Sequence, residues 1–244
     1  MARSRSTAAS IAPSGSTSVA LVHAPPRVRG GLAARLVALA AGLFVFAAAI
    51  VLQLESRLGL SPWDTLHQGI AKHTPLSFGA ANIAVGVIVL TVAWLLGAKV
   101  GIGTVANALL VGAMIQGLTA IGPVDRLSES ALGVRIGLLA AALPLIGIGS
   151  ALYLGAWLGA GPRDSLMVVA GERTGVRLGI VRAVLELAAL AAGFALGGTI
   201  GVGTVVFALG IGPALEAGFW LLQRSRLAAP VSGAASPLPA PPVL

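Results

Sequence analysis

LGLSPWDTL at residues 58–66 and LGAGPRDSL at 158–166 stand 100 residues apart in a chain of 244. When residue n is aligned with residue n + 100, the correspondence runs on without a gap. LLGAKVGIGTVANALLVG (95–112) falls on ALGGTIGVGTVVFALGIG (195–212), Arg35 on Arg135, Thr74 on Thr174 and Gly79 on Gly179. Across 31–112 against 131–212 there are 25 identities in 82 positions. A chain this rich in Ala, Leu, Gly and Val would match itself by chance at roughly one position in ten, so the sequence is an internal duplication. Repeat 1 covers 31–130 and repeat 2 covers 131–227.

The solvent of these repeats is lipid. Hydrophobic residues make up 57% of the chain and charged residues 10%, with a mean hydropathy of +0.95. A soluble domain carries about 25% charged residues to solvate its surface. Six apolar stretches near 34–54, 78–97, 102–122, 134–156, 178–197 and 202–222 are each long enough to cross a ~30 Å hydrocarbon core as a helix. The expected fold is therefore all-α and integral to the membrane, with about six transmembrane helices, three per repeat. The first run lies too far from Met1, and is too long, to be a cleaved signal. The short Gly-bearing connections at 98–101 and 198–201 predict two helical hairpins. Residues 1–30 and 228–244, rich in Ser, Ala, Pro and Arg, read as disordered tails.

Three crossings per repeat would set the second copy upside down relative to the first. With the N-terminus inside, Lys99, Arg163, Arg173, Arg177, Arg224 and Arg226 fall on the inner side with the N-terminal Arg3, Arg5, Arg27 and Arg29. Only Arg57, Lys72, Arg126 and Arg135 fall outside, which is the positive-inside bias of a membrane protein with both termini cytoplasmic. The net charge of +8 is thus topogenic. No basic stripe with interleaved aromatics points to nucleic acid. With no Cys in the chain, disulfides, Cys-ligated metals and thiol catalysis are excluded.

Ser61-Pro62-Trp63-Asp64 and Gly161-Pro162-Arg163-Asp164 read as helix starts, with an N-cap, Pro at the first position and Asp in the first turn. Each opens a segment, 61–73 and 161–173, too short to span. In the first, Trp63, Leu66 and Ile70 share one face, and Asp64, Gln68 and Lys72 another. Two readings stand: interfacial amphipathic helices, or re-entrant half-helices whose N-termini face a solute or ion. Gly101–Thr104 and Gly201–Thr204 (Gly-x-Gly-Thr, with Gly103 and Gly203) open the third helix of each unit. No P-loop Lys follows, so the expectation is a tight turn with Thr104 and Thr204 as N-caps.

Ionisable residues inside spans are functional candidates by default. Arg182 and Glu186 lie four apart on one helix face and can neutralise each other; their counterparts are Asn82 and Gly86. Glu216, opposite Gln116, and Asn107 complete the set. His23, His67 and His73 have no metal-ligand spacing, and His67 and His73 are placed at the membrane surface. No nucleophile elbow is present, and Ser61 has no base beside it in sequence. No catalytic residue, metal or cofactor is assigned.

LGLSPWDTLHQGIAKHTPLSFG followed by GIGTVANALLVG is similar to the YczE family of bacterial integral membrane proteins, loosely grouped with YitT-like proteins. The resemblance covers roughly 33–222. It implies a multi-pass protein of the bacterial cytoplasmic membrane and carries over no catalytic residues. Repeat 2 departs from the motif, with Arg163 where Trp63 stands. The leading expectation is a transporter for a small solute, its site near Asp64 and Asp164 and lined by Arg182, Glu186, Glu216 and Asn107. A coupling ion and a second copy of the chain are further candidate partners. The alternative is a non-transporting accessory or scaffold protein. In this Cys-free chain, single cysteines at the far ends of the 61–73 and 161–173 segments should be labelled from opposite faces of the membrane, and labelling of both from one face would overturn the inverted arrangement.

Overall fold

The computed structural model describes residues 26–229, and within them every regular element is a helix. In chain order these are α1 (Leu32–Ser56), α2 (Pro62–His73), α3 (Phe78–Leu95), α4 (Ile102–Thr119), the single turn α5 (Gly122–Asp125), α6 (Leu132–Gly155), α7 (Pro162–Thr174), α8 (Leu178–Ala195) and α9 (Val202–Arg224). Six of them, α1, α3, α4, α6, α8 and α9, have the length and apolar character to cross a membrane. Their ends fall within three residues of the expected ones. Large apolar side chains cover the outside: Leu209 is 76% exposed, Leu95 69% and Leu187 65%. Hydrocarbon accepts such a surface and water does not, so this is a membrane protein.

The centre is the antiparallel pair α1–α6. Small residues let the two backbones approach closely. A Cβ on Gly42 would stand 2.5 Å from the Tyr153 nitrogen and 2.8 Å from the Gly149 carbonyl; one on Gly149 would stand 2.7 Å from the Phe46 nitrogen. Each helix also closes the other's C-terminus. Arg35 donates from Nε to the Ala156 carbonyl at 2.6 Å and from Nη2 to that of Trp157 at 2.5 Å. Arg135, its counterpart, donates to the carbonyls of Ser56 at 2.8 Å and Arg57 at 3.3 Å. A cation at a helix C-terminus meets both the unsatisfied carbonyls and the negative end of the dipole. Outside this pair, α4 packs on α1 and α9 on α6.

The short helices cross over. α2 packs on α8 of repeat 2, and α7 on α3 of repeat 1. Gly193 of α8 makes the first contact possible, because a Cβ there would fall 2.5 Å from the Thr65 carbonyl carbon and onto the Leu66 nitrogen. The extended turns ahead of α2 and α7 cross as well. Gly203 N–H donates to the Leu58 carbonyl at 2.7 Å, and Gly103 N–H to that of Leu158 at 2.7 Å. Gly59 and Gly159 hold φ of 120° and 125°, a region that L side chains avoid. A Cβ on either would also meet the opposite helix start, at 2.6 Å from Gly201 N and 2.5 Å from Thr104 Oγ1 respectively.

Three expectations change. Thr104 and Thr204 are not N-caps: Gly101 and Gly201 are, in extended conformation. Each Thr sits three residues further in, at the third helical residue, and its hydroxyl accepts from the cap N–H at 3.2 Å. A glycine cap brings no side-chain acceptor of its own, and this reach back is the returning half of a capping box. The two expected hairpins also differ. α3 and α4 pack tightly, whereas α8 and α9 scarcely touch beyond their turn, because Glu186 stands where Gly86 lies against Ala108 in repeat 1. The tails fall mostly outside the described residues, as do Arg3, Arg5 and His23. Their inner ends are folded: Val28 N–H donates to Gly155 at 2.8 Å, Arg29 N–H to Leu227 at 2.7 Å and Ala229 N–H to Arg27 at 2.7 Å.

Gly193→Ala should destabilise the protein by about 1–3 kcal/mol through overpacking against the α2 backbone. Gly117→Ala, on a helix position with nothing within 4 Å of the added Cβ, should leave stability unchanged or raise it by up to about 1 kcal/mol. Thermal unfolding in detergent measures both, and equal effects would refute the assigned α2–α8 contact.

Candidate functional site

The N-termini of α2 and α7 converge. Pro62 and Pro162 occupy the first helical position in each, and Ser61 and Gly161 are the N-caps. Ser61 Oγ accepts from Asp64 N–H at 3.3 Å and donates to Asp64 Oδ2. Asp64 Oδ1 lies 3.3 Å from His67 Nδ1. Asn82 of α3 approaches the same ring nitrogen at 3.2 Å. On the far side of the ring, Arg163 Nη2 of α7 reaches His67 Nε2 at 3.5 Å, and its guanidinium lies 5.0 Å over the Trp63 ring. Arg cannot accept, so Nε2 accepts and the proton of a neutral His67 sits on Nδ1, facing Asp64; the Asn82 amide nitrogen, itself a donor, then lies beside Nδ1 without bonding to it. The polar groups of the two short helices therefore form one buried chain across the repeat boundary.

This cluster forms one wall of a cavity of about 160 Å³. The wall continues through Asp164, which accepts from Tyr153 OH of α6 at 3.2 Å, and Asn107 of α4, whose amide stands beside Gly161. Opposite, Arg182 donates from Nε to Glu186 Oε1 at 2.9 Å, an ion pair on α8 that remains partly exposed. Phe207, Ile211 and Leu215 of α9 supply an apolar side. Among the described residues, no three of His, Cys, Asp and Glu converge as metal ligands would.

Of the six candidate ligand residues, Asp164, Arg182, Glu186 and Asn107 line the cavity. Asp64 lies just behind it, 2% exposed. Glu216 is not in it and projects from an exposed face of α9. Ser61, Pro62, Pro162, Thr104, Gly103, Thr204 and Gly203 build the helix starts described above. Two further expectations are corrected. His67 is 1% exposed rather than at the membrane surface, because α3 and α8 close over α2. Arg163 lies in the cavity wall rather than among the inner-face charges. Tyr153 and Asn82 emerge only from the packing; His67, three residues after Asp64 on the same helix, left a signal in its spacing.

The two equivalent aspartates are driven apart. Burial pushes Asp64 up, but the bond to His67, the charge of Arg163 and the Ser61 hydroxyl together hold it below the usual carboxylate range. For Asp164, burial dominates over the Tyr153 bond and the charges of Arg182 and Arg163, and its carboxyl titrates above that range. The two surroundings thus push equivalent carboxyls in opposite directions. Ser61 addresses Asp64 rather than the imidazole, so the three do not form a relay that would draw a proton from the serine to histidine.

A model of the family of unknown function DUF6198 matches residues 32–218. The chain is 36% identical over 174 residues to an uncharacterized protein of Haemophilus influenzae, a match covering 70% of this chain and 76% of that one. It is 35% identical over 142 residues to the uncharacterized membrane protein YczE of Bacillus subtilis, covering 55% of this chain and 61% of the Bacillus protein, less than two thirds of its length. No solved structure matches. The chain belongs to the DUF6198 family, and its resemblance to YczE holds.

A carboxylate with a lowered folded-state pKa contributes stability above its unfolded pKa, lost as pH falls through the folded value; a raised one costs stability at high pH and ceases to as pH falls. Asp64→Asn should therefore lower stability at neutral pH by about 1–3 kcal/mol. Asp164→Asn should be neutral or stabilising there, with the gain vanishing on acidification. Unfolding midpoints across pH in detergent read both signs.

Proposed function

We propose that the chain, as a member of this family, is a permease for a small solute bearing an anionic group, bound where two inverted repeats meet. The observation that carries this is Arg163, set at the cavity wall between the converging N-termini of α2 and α7. Helix N-termini offer partial positive charge and free N–H groups, the usual components of an anion site. Among the described residues, Arg163 has a ring and an imidazole as its contacts and no carboxylate within 4 Å, while the charges of Asp64, Asp164 and Glu186 act on it from further off. With no carboxylate in direct contact, the guanidinium keeps donors free for an anion in the cavity. The cavity of about 160 Å³ has the volume of roughly five waters, which suits a small organic acid or similarly sized anion. Asp164 is placed to take up or give back a proton as the anion arrives and leaves.

Support for the inverted arrangement comes from reciprocity: Arg35 and Arg135 cap each other's helices, and Leu58 and Leu158 accept from Gly203 and Gly103. A site at such an interface is the arrangement common to many secondary transporters. The excess of Lys99, Arg173, Arg177, Arg224 and Arg226 at one end of the bundle favours a bacterial cytoplasmic membrane location with both termini inside.

Purified protein in detergent, screened against small carboxylates, phosphates and sulfonates, should gain thermal stability with one anionic class. A ligand at 100 times its Kd adds about 2.7 kcal/mol. Arg163→Gln should abolish that gain and reduce uptake into proteoliposomes by at least tenfold. If no anion stabilises the protein and no flux is found, the permease reading fails and an accessory scaffold role takes its place.

A further inference from the structure

Equivalent glycines in the two repeats stand in different states. In repeat 1 the tip of α3 and the far end of α4 are in backbone contact: a Cβ on Gly79 would fall onto the Gly112 carbonyl and 3.0 Å from Gln116 Cβ, and one on Gly112 onto the Gly79 carbonyl. One turn deeper, Gly86 lies against Ala108, with 3.7 Å between its added Cβ and the alanine's. The counterparts of the first pair, Gly179 on α8 and Gly212 on α9, are retained in sequence, yet neither has any atom within 4 Å of an added Cβ. α8 and α9 stand apart over this stretch, and the cavity reaches into the gap between them, where Arg182 and Glu186 face Phe207, Ile211 and Leu215.

From this we infer that α8 and α9 form a gate over the cavity, described here open, which closes by bringing Gly179 onto Gly212 as Gly79 lies on Gly112. The inference rests on the permease reading for its purpose, but not for its geometry. Gly at these two positions leaves room that an open gap does not need; only a closed state uses it. Glu216 gives independent support. It is an exposed carboxylate on α9, about 12 Å of helix rise before Arg224, at a depth where lipid contact is costly. Its counterpart Gln116 packs on Gly79. Closure would carry Glu216 off the exposed face, against Gly179 and beside the α8 turn that holds Arg182. The gate thereby covers the Arg182–Glu186 pair, and with it the route to Arg163. The part of α8 carrying Glu186 retains space for that side chain, so closure is tightest at the 179–212 level.

The Cys-free chain allows a direct test in membrane vesicles without solute. Gly179→Cys combined with Gly212→Cys should form an intrachain disulfide on mild oxidation, since a disulfide tolerates Cα separations up to about 6.8 Å and does not need glycine-tight contact. The control pair Gly86→Cys with Ala108→Cys should link under the same conditions. If the control links and 179–212 does not, the gate is refuted. If 179–212 links only between chains, the gap is a contact surface for a second copy and the gate is equally refuted. Anion binding with no 179–212 link would sink the gate while leaving the permease reading intact. A link without any anion binding would support the gate and sink the permease reading.

Discussion

A helix interrupted among lipid-facing neighbours leaves peptide groups that hydrocarbon cannot satisfy, and this chain interrupts itself twice. After α1 and after α6 the backbone runs extended through Leu58–Gly59 and Leu158–Gly159 before turning into a short helix. The free carbonyl of each leucine takes an N–H from the opposite repeat, Gly203 in one case and Gly103 in the other, each at 2.7 Å. Each bond thus satisfies a carbonyl past the end of one helix and an orphan donor at the start of another. Neither repeat can do this alone. The crossing of α2 onto α8 and α7 onto α3 follows from it, and so does the convergence of two helix N-termini on one cavity.

The long elements were legible because their length and apolarity are demanded by lipid, whichever partners they find. The starts at Ser61–Pro62 and Gly161–Pro162 were legible for a similar reason: a cap and a proline act locally. What was not legible depended on which face of a short helix turns inward. α2 looked amphipathic with Asp64, Gln68 and Lys72 on its wet side. In the structure that polar side faces protein: Gln68 accepts from Thr199 N–H at 2.7 Å and Lys72 donates to the Gly197 carbonyl at 2.5 Å. The turn after α8 supplies those partners, and nothing within α2 announces them. His67 went inside for the same reason. Thr104 was misread by three positions because Ser, Thr and Gly all suit a cap, and only the backbone shows which residue is extended.

Identity of sequence between the repeats also did not imply identity of packing. Gly79 and Gly179, or Gly112 and Gly212, offer the same permission for close approach, but permission is not contact. Around them the repeats differ where it matters, with Asn82 and Gly86 facing Arg182 and Glu186. In repeat 1 a neutral amide lies beside His67 and a glycine lets α4 lie close. In repeat 2 a charged pair needs both room and polar surroundings, and finds them in the cavity. The asymmetry sits in side chains on one helix face, while the backbone framework of the two units stays reciprocal.

Residues 63 and 163 show what unequal residues at corresponding positions allow that two identical chains do not. Equivalent positions in a reciprocal arrangement can meet each other, and these two do, with the Arg163 guanidinium 5.0 Å over the Trp63 ring. A symmetric dimer must place the same residue on both sides of such a contact. Two arginines would repel across a low-dielectric gap, and two tryptophans would leave the junction of α2 and α7 without a cation. In this chain one position is Arg and the other Trp, and a cation–π contact, which is stronger when desolvated, joins them. The same freedom separates Asp64, held as an anion by His67 and Arg163, from Asp164, which burial inclines toward its protonated form. Unequal chemistry at corresponding positions is what gives the two sides of this junction different electrostatics.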